Sequence, residues 1–307
     1  MTKHYITFRD LSVDEYDHIF ARAKKLKAER LRGQHLRPHL GGRSVALVFA
    51  KPSTRTRVSF DCAISELGGN CVLINLADSQ ISRGEPPSHT ARVLSRYVSG
   101  LVYRTYQESE LRELAASATI PVVNALTNQQ HPCQVLADLF TFVENLDGRP
   151  LEKQLVAWVG DGHNMANTWI EAAAVFGFGL NLACPEGHDP DPAILKRAQA
   201  DNPRVRLVRS PAEAVAGAGA VNTDVFASMD QTHERDKRML DFRGYQVDSA
   251  LMARAAPGAI FMHCLPAHPG EEVTDEVLES PASVVFDEAE NRLHAQKALL
   301  EYLIPPL

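Results

Sequence analysis

Residues 45–67 read VALVFAKPSTRTRVSFDCAISEL. Residues 45–50 form an unbroken apolar run of strand length, residues 51–54 a polar turn around a proline, and residues 54–67 a segment in which Val58, Ala63, Ile64 and Leu67 space an apolar helical stripe. A strand that is apolar on both faces and runs at once into a helix is the building unit of a parallel sheet covered by helices. The alternation recurs. Further strands are expected at 71–75, 100–103 and 121–124, then at 155–159, 180–184, 205–208, 220–223, 259–262 and 283–286. The fold class predicted is α/β, with two domains, each a mostly parallel sheet with flanking helices, and the active site in the cleft between them.

A chain of 307 residues exceeds what one hydrophobic core usually supports, which is why two domains are expected. The turn-forming cluster Asp147-Gly148-Arg149-Pro150 follows the amphipathic segment 134–146 and precedes a fresh strand. The boundary is therefore set there, giving domains 1–148 and 149–307, with 134–146 as a connecting helix. The last apolar helix, about 289–302, is read as packing back on the first domain.

Hydrophobic residues at 45% and charged residues at 23% are those of an ordinary folded protein. A net charge of −6 argues against general affinity for nucleic acid or an anionic membrane surface, since either calls for a basic excess. Any anionic ligand must then meet a local group of arginines. The five cysteines, Cys62, Cys71, Cys133, Cys184 and Cys264, are odd in number and lack C-x-x-C spacing, which fits a reducing compartment better than a disulfide framework. With neither a secretory signal nor a membrane-spanning run in view, a cytoplasmic location is expected.

In open parallel sheets ligands bind beyond the carboxyl ends of the strands. The residues that follow the expected strands are Lys51 to Arg57, then Arg104, then His131-Pro132-Cys133-Gln134 in the first half. In the second half they are Asp161-Gly162-His163-Asn164, Asp224 with Ser228-Met229, and His263-Cys264-Leu265-Pro266. Ser53 to Arg57 carries the sharpest signal, because hydroxyl residues at a helix start leave N–H groups and a helix dipole for an anion, and Arg55 adds a planar fork for phosphate oxygens. Ordinary N-capping is the competing reading of that run. The run lacks the glycine-lysine pattern of a P-loop, and Gly160-Asp161-Gly162 lacks the third glycine of a dinucleotide fingerprint.

The segment from Phe49 to Arg57 resembles the carbamoyl-phosphate signature of the aspartate/ornithine transcarbamoylase superfamily, and His131 to Gln134 resembles its H-P-x-Q segment. The motifs at Gly160 to Asn164, at Asp224 with Ser228-Met229, and at His263 to Pro266 point to the ornithine branch, the ornithine carbamoyltransferases. The resemblance covers nearly the whole chain, in order. It implies transfer of the carbamoyl group of carbamoyl phosphate to the δ-amine of L-ornithine, giving L-citrulline and phosphate, with no cofactor and no metal. It further implies that Ser53, Thr54, Arg55, Thr56, Gln80, Arg104, His131, Gln134, Cys264, Leu265 and Arg292 hold carbamoyl phosphate, Gln80 from a loop that reaches toward a neighbouring subunit. Asn164, Asp224, Ser228 and Met229 would hold ornithine, Arg55, His131 and Cys264 would be catalytic, and a homotrimer or larger homo-oligomer is implied.

Nearby positive charge would favour a Cys264 thiolate, able to accept the amine's proton or to pair with Asp224. Each residue also has a plainer reading: His131, Asp224 and Asn164 as helix caps, Cys264 as a core hydrophobe, Arg292 as a partner of Asp287, Glu288 or Glu290, and His131, Cys133, His263 and Cys264 as metal ligands. Three positions depart from the family pattern: His163 for an asparagine, Asp230 for a glycine and Pro269 for an arginine. Asp230 places a carboxylate near the amino-acid pocket, which keeps putrescine or an N-modified ornithine open as an acceptor.

Overall fold

The computed structural model describes residues 2–227 and 234–306. The chain divides into two compact units, residues 1–137 with 290–307 and residues 138–289.

In unit 1 the strands β1 (Ser44–Phe49), β2 (Asn70–Asn75), β3 (Gly100–Arg104) and β4 (Val122–Leu126) form a parallel sheet in the order β2-β1-β3-β4. The helices are α1 (Val13–Leu31), α2 (Arg55–Glu66), α3 (Pro87–Leu94), α4 (Glu108–Ser117) and the first part of α5 (Pro132–Glu144). Strand β1 is central, and Val45 to Phe49 are all buried, as expected for a strand covered on both faces. Ala46, Val48, Leu101, Tyr103 and Val122 pack with Ala91 of α3 and with Leu111, Leu114 and Ala115 of α4. Each fully buried leucine or valine contributes about 1.5–3 kcal/mol over its exposed state. Helix α2 corrects the expected stripe: Phe60, Ala63, Ile64 and Leu67 are buried, whereas Val58 is 54% exposed. Val58 stands two residues before Phe60, and positions that far apart do not share a helix face.

In unit 2 the strands β5 (Leu155–Val159), β6 (Gly179–Ala183), β7 (Val205–Val208), β8 (Ala220–Thr223) and β9 (Ile260–His263) form a second parallel sheet, ordered β7-β6-β5-β8-β9. Its helices are α6 (Asn164–Phe176), α7 (Pro192–Asp201), α8 (Pro211–Val215), α9 (Arg235–Asp241), α10 (Ser249–Met252) and α11 (Asp275–Leu278), with the second part of α5 and the start of α12 (Val285–Leu303). Ala157, Val159, Val221 and Phe261 of the sheet join Val215, Val277 and Val285 in the core.

The strand expected at 283–286 is not formed. Ser283 makes one bridge to Phe261, with Val284 N–H donating to Phe261 O at 3.0 Å, and α12 then begins at Val285. The apolar Ser-Val-Val-Phe run imitates a strand, but Asp287 and Glu288 sit in the first turn of a helix, where carboxylates complement the dipole. Among the described residues no helix is long and apolar enough to cross a membrane.

Both strand orders reverse direction of growth beside the first strand of the sheet, between β1 and β3 in unit 1 and between β5 and β8 in unit 2. Such switch points open a crevice at the strands' carboxyl ends. Residues 53–57 follow β1 and Arg104 is the last residue of β3; residues 161–164 follow β5 and Asp224 follows β8.

Candidate active site

In unit 1 the backbone continues past β1 with Ala50 N–H donating to Arg104 O at 2.8 Å, then turns at Pro52 into α2. Thr54, the N-cap residue, makes no side-chain capping bond. Its hydroxyl is not used for the role that a plain capping motif would give it. Ser53 borders a cavity of about 200 Å³ together with Lys51, Arg57 and Asn75. Lys51 donates to Asn128 Oδ1 at 2.6 Å and lies 4.2 Å from the centre of the Tyr106 ring.

Arg104 ends β3, where the pairing with β4 shifts register between Tyr103 and Arg104, an irregularity that re-aims the side chain at the strand end. His131 precedes Pro132, the first residue of α5, where a proline costs the helix no hydrogen bond. Thr56, Arg104, His131, Gln134 and Arg292 are all buried. Arg292 donates to Gln134 Oε1, to Thr56 Oγ1 at 3.2 Å and to Gln296 Oε1 at 2.9 Å, and so ties three of the expected anion-site residues together. Burial pushes the His131 imidazole well below its ordinary pKa, and Arg292, Arg104 and Arg55 push it further. His131 is therefore a neutral imidazole among three guanidinium groups, able to donate a hydrogen bond without a charge of its own. Gln80 stands apart, exposed at the start of a 3₁₀ turn, and is not among the groups acting on His131.

In unit 2 the chain leaves β5 through Gly160, at φ +137°, and Gly162, where a Cβ would fall 2.2 Å from Pro190 N and 2.3 Å from Asp189 C. The two glycines serve backbone geometry rather than a dinucleotide. They deliver Asn164, buried, to the first turn of α6, with its Oδ1 3.3 Å from His163 Nδ1. Asp161 is paired with Arg238, which also binds Phe226 O. Ser228, Met229 and Asp230 lie outside the described residues.

Cys264 follows β9 directly, and its thiol donates to Asp224 Oδ1 at 3.2 Å; the same oxygen accepts from Val225 N–H at 2.8 Å. The thiolate expected at Cys264 is corrected here. Burial raises the thiol pKa well above its ordinary value, and Asp224, Glu288 and Asp138 raise it further. The charges that act on this sulfur are carboxylates, so it stays protonated. Leu265 holds φ +58°, a left-handed backbone that costs a non-glycine residue about 1–2 kcal/mol, and the Leu265–Pro266 bond is cis. Leu265 N–H donates to His263 Nδ1 at 2.8 Å, while His263 Nε2 lies 3.2 Å from Glu272 Oε1.

Two groups of possible metal ligands lie close together among the described residues, Asp224 with His263 and Cys264, and His268 with Glu271 and Glu272. Both His263 nitrogens, the Cys264 thiol and Asp224 Oδ1 are already engaged, and Glu271 is paired with Arg235. The chemistry of these donors favours hydrogen bonding over ligation. Sequence reasoning missed Glu272, Glu288 and Asp138, because each reads as a solvated or helix-surface carboxylate. The one usable signal was a pair of acids eight and nine residues beyond His263.

A family model described as aspartate/ornithine carbamoyltransferase, carbamoyl-P binding domain, matches residues 3–144, and one described as the Asp/Orn binding domain matches residues 152–303. The ornithine carbamoyltransferase of Desulfotalea psychrophila is 52% identical over 98% of this chain and 99% of its own length. The chain belongs to the aspartate/ornithine carbamoyltransferase family. A solved family member, the Pyrococcus furiosus ornithine carbamoyltransferase, superposes with a TM-score of 0.94 at 42% identity, covering 99% of this chain and 98% of its own. Another, described as the anabolic ornithine carbamoyltransferase of Campylobacter jejuni, gives 0.90 at 37%, covering 98% and 99%. The arginines around His131 thus lie mostly in the span matched by the family's carbamoyl-P domain, Arg292 excepted, and the Cys264–Asp224 pair in the Asp/Orn span.

Proposed function

We propose that this chain is an ornithine carbamoyltransferase, moving the carbamoyl group of carbamoyl phosphate to the δ-amine of L-ornithine with release of L-citrulline and phosphate. The observation that carries the reading is the charge around His131 in unit 1 and around Cys264 in unit 2. Three arginines surround His131, as a phosphate dianion requires, whereas carboxylates surround Cys264, which suits a cationic acceptor and opposes aspartate. In the reaction the amine nitrogen forms a bond to the carbonyl carbon, the bond from that carbon to the phosphate oxygen breaks, and the amine gives up a proton. Neutral His131, Thr56 and Arg55 donate to the carbonyl oxygen as it gains charge, and Arg104 and Arg292 stabilise the departing phosphate. Ser53, Thr54 and Gln134 complete the phosphate site, and Gln80 joins it from a neighbouring subunit.

Asp224, oriented by the Cys264 thiol, neutralises the α-ammonium group of ornithine; Asn164 takes the carboxylate end, and Ser228 and Met229 complete the pocket. The chemistry needs neither cofactor nor metal. Citrulline made this way feeds arginine formation. Five cysteines, all free, fit the reducing cytoplasm. Self-association into a homotrimer is supported by the edge strand β2, where Val72 and Leu73 stand exposed, an apolar edge of the kind that proteins cover.

A panel of acceptors tests the reading. Ornithine should give citrulline, with putrescine, N-acetylornithine and aspartate far slower; turnover of another acceptor in place of ornithine would reject the assignment. Sedimentation of the purified chain should give a trimer, and a monomer would remove the quaternary proposal.

A further inference from the structure

Building on the reading of this chain as an ornithine carbamoyltransferase, we propose that Glu272, acting through His263, is a positioning residue that sets the backbone of the Cys264-Leu265-Pro266 turn. Leu265 N–H donates to His263 Nδ1 at 2.8 Å, so that nitrogen must present a lone pair. The ring proton then sits on Nε2, which faces Glu272 Oε1 at 3.2 Å. A carboxylate accepts and never donates, so its presence selects the tautomer that the turn requires. With the proton on Nδ1 instead, two N–H groups would face each other and the turn would lose its anchor.

The anchor matters because Leu265 is held in the left-handed region, which a leucine does not adopt unaided. The same Glu272 oxygen accepts from His268 N–H at 2.5 Å, so one carboxylate pins both ends of residues 263–268. Glu288 Oε2 accepts the backbone N–H of His263 at 3.0 Å and fixes the strand end from another side. The backbone of Glu272 is itself anchored, its carbonyl accepting from Val247 N–H at 2.9 Å. Both side chains, His263 and Glu272, are fully buried. A buried carboxylate and imidazole stabilise a fold poorly compared with apolar residues of their size, so their value lies in the geometry they impose. What they impose is the position of Cys264, between His263 and Leu265, whose thiol must reach Asp224.

The test is the protonation site of His263, read by NMR on the full chain labelled with ¹⁵N-histidine and assigned by difference against His263→Asn. The wild type should show Nε2–H with Nδ1 bare. Glu272→Gln, whose carbonyl still accepts from both donors, should keep that tautomer and kinetics close to wild type. Glu272→Leu should place proton on Nδ1 in part of the population and lower kcat/KM for ornithine by about ten- to a hundredfold per folded enzyme. A merely structural role would instead lower the melting temperature while leaving the tautomer and the kinetics of the folded fraction unchanged, and that outcome overturns the proposal. Should Glu272→Leu fail to fold, the wild-type tautomer decides: a proton on Nδ1 of His263 overturns the proposal, and Nε2–H in both the wild type and Glu272→Gln upholds it. The tautomer is read without turnover, so a wild type inactive toward ornithine would reject the functional reading separately.

Discussion

The thiol of Cys264 donates a hydrogen bond to Asp224 Oδ1 across 3.2 Å, joining the carboxyl ends of two neighbouring strands of unit 2. The direction of that bond decides the chemistry available to the sulfur. A thiol that donates to a carboxylate, with two further carboxylates nearby, gains nothing from ionising. Under the proposed function, Cys264 would therefore orient Asp224 rather than serve as the base.

The first prediction concerns the reactivity of that thiol. Alkylation by iodoacetamide, followed residue by residue with mass spectrometry, should give Cys264 a titration midpoint above the free-cysteine value of about 8.5. Replacing Asp224 with Asn removes the nearest charge and should move the midpoint down. A midpoint below the free value in the unmodified protein would restore the thiolate and make proton acceptance by sulfur the better mechanism.

Arg55 and Arg292 should respond differently to removal. Arg55 is partly exposed at the start of α2, and Arg55→Ala should weaken carbamoyl phosphate binding by about 1.5–3 kcal/mol, ten- to a hundredfold or so, with the melting temperature nearly unchanged. Arg292 is buried and holds Gln134, Thr56 and Gln296, so Arg292→Met strands buried acceptors and should lower affinity and stability together. Calorimetry and thermal melts on both variants check this; equal melting temperatures would show that Arg292 is not the tie described.

The apolar runs made the sheets legible in the sequence, since strands such as β5, β6 and β8 are buried parallel strands bounded by turns. The polar residues that follow the strands were legible for the same reason, because a parallel sheet sends its strand ends to one edge. Ser283 to Phe286 misled because local β propensity cannot register that a helix already begins at Val285, within the run, with Asp287 and Glu288 in its first turn. Val58 misled because one aliphatic residue on an outer face looks like part of a stripe. The Cys264 environment was out of reach: Asp138 and Glu288 stand 126 residues before it and 24 after it, and only the folded unit brings their charges to the sulfur. Glu272 was hidden likewise, its role lying in a hydrogen bond to a tautomer that no pattern encodes.

Gly162 yields a prediction about stability. An added Cβ would meet Pro190 N at 2.2 Å, Asp189 C at 2.3 Å and His188 O at 2.6 Å, all backbone atoms that cannot rotate aside. Gly162 N–H also donates to His188 O at 2.8 Å, so the two segments are locked together. Gly162→Ala should destabilise unit 2 by about 3 kcal/mol or more, the range of overpacking and strain combined. Chemical denaturation would measure it. A loss within about 0.5 kcal/mol, typical of a tolerant surface site, would mean the contact relaxes freely.

His131 ties the arginines of the phosphate site to the acid sensitivity of the fold. Its pKa is held below the ordinary histidine value, first by burial and then by Arg292, Arg104 and Arg55, so the unfolded chain binds a proton where the folded chain refuses one. Stability then rises with pH in that window, and it is lost as pH falls below about 6.5 toward the folded pKa, by at most about 1.4 kcal/mol per pH unit for this one group. His4 and His294 are depressed as well and act in the same direction, so the parent slope contains all three. His131→Gln, which cannot be protonated in this range, should flatten the slope of unfolding free energy between about pH 7 and about pH 5 by up to that amount. Denaturant titrations at several pH values would measure the difference. A variant slope identical to the parent's would mean that neither burial nor the three arginines depress the His131 pKa, and the carbonyl-polarising role proposed for a neutral imidazole would lose its physical basis.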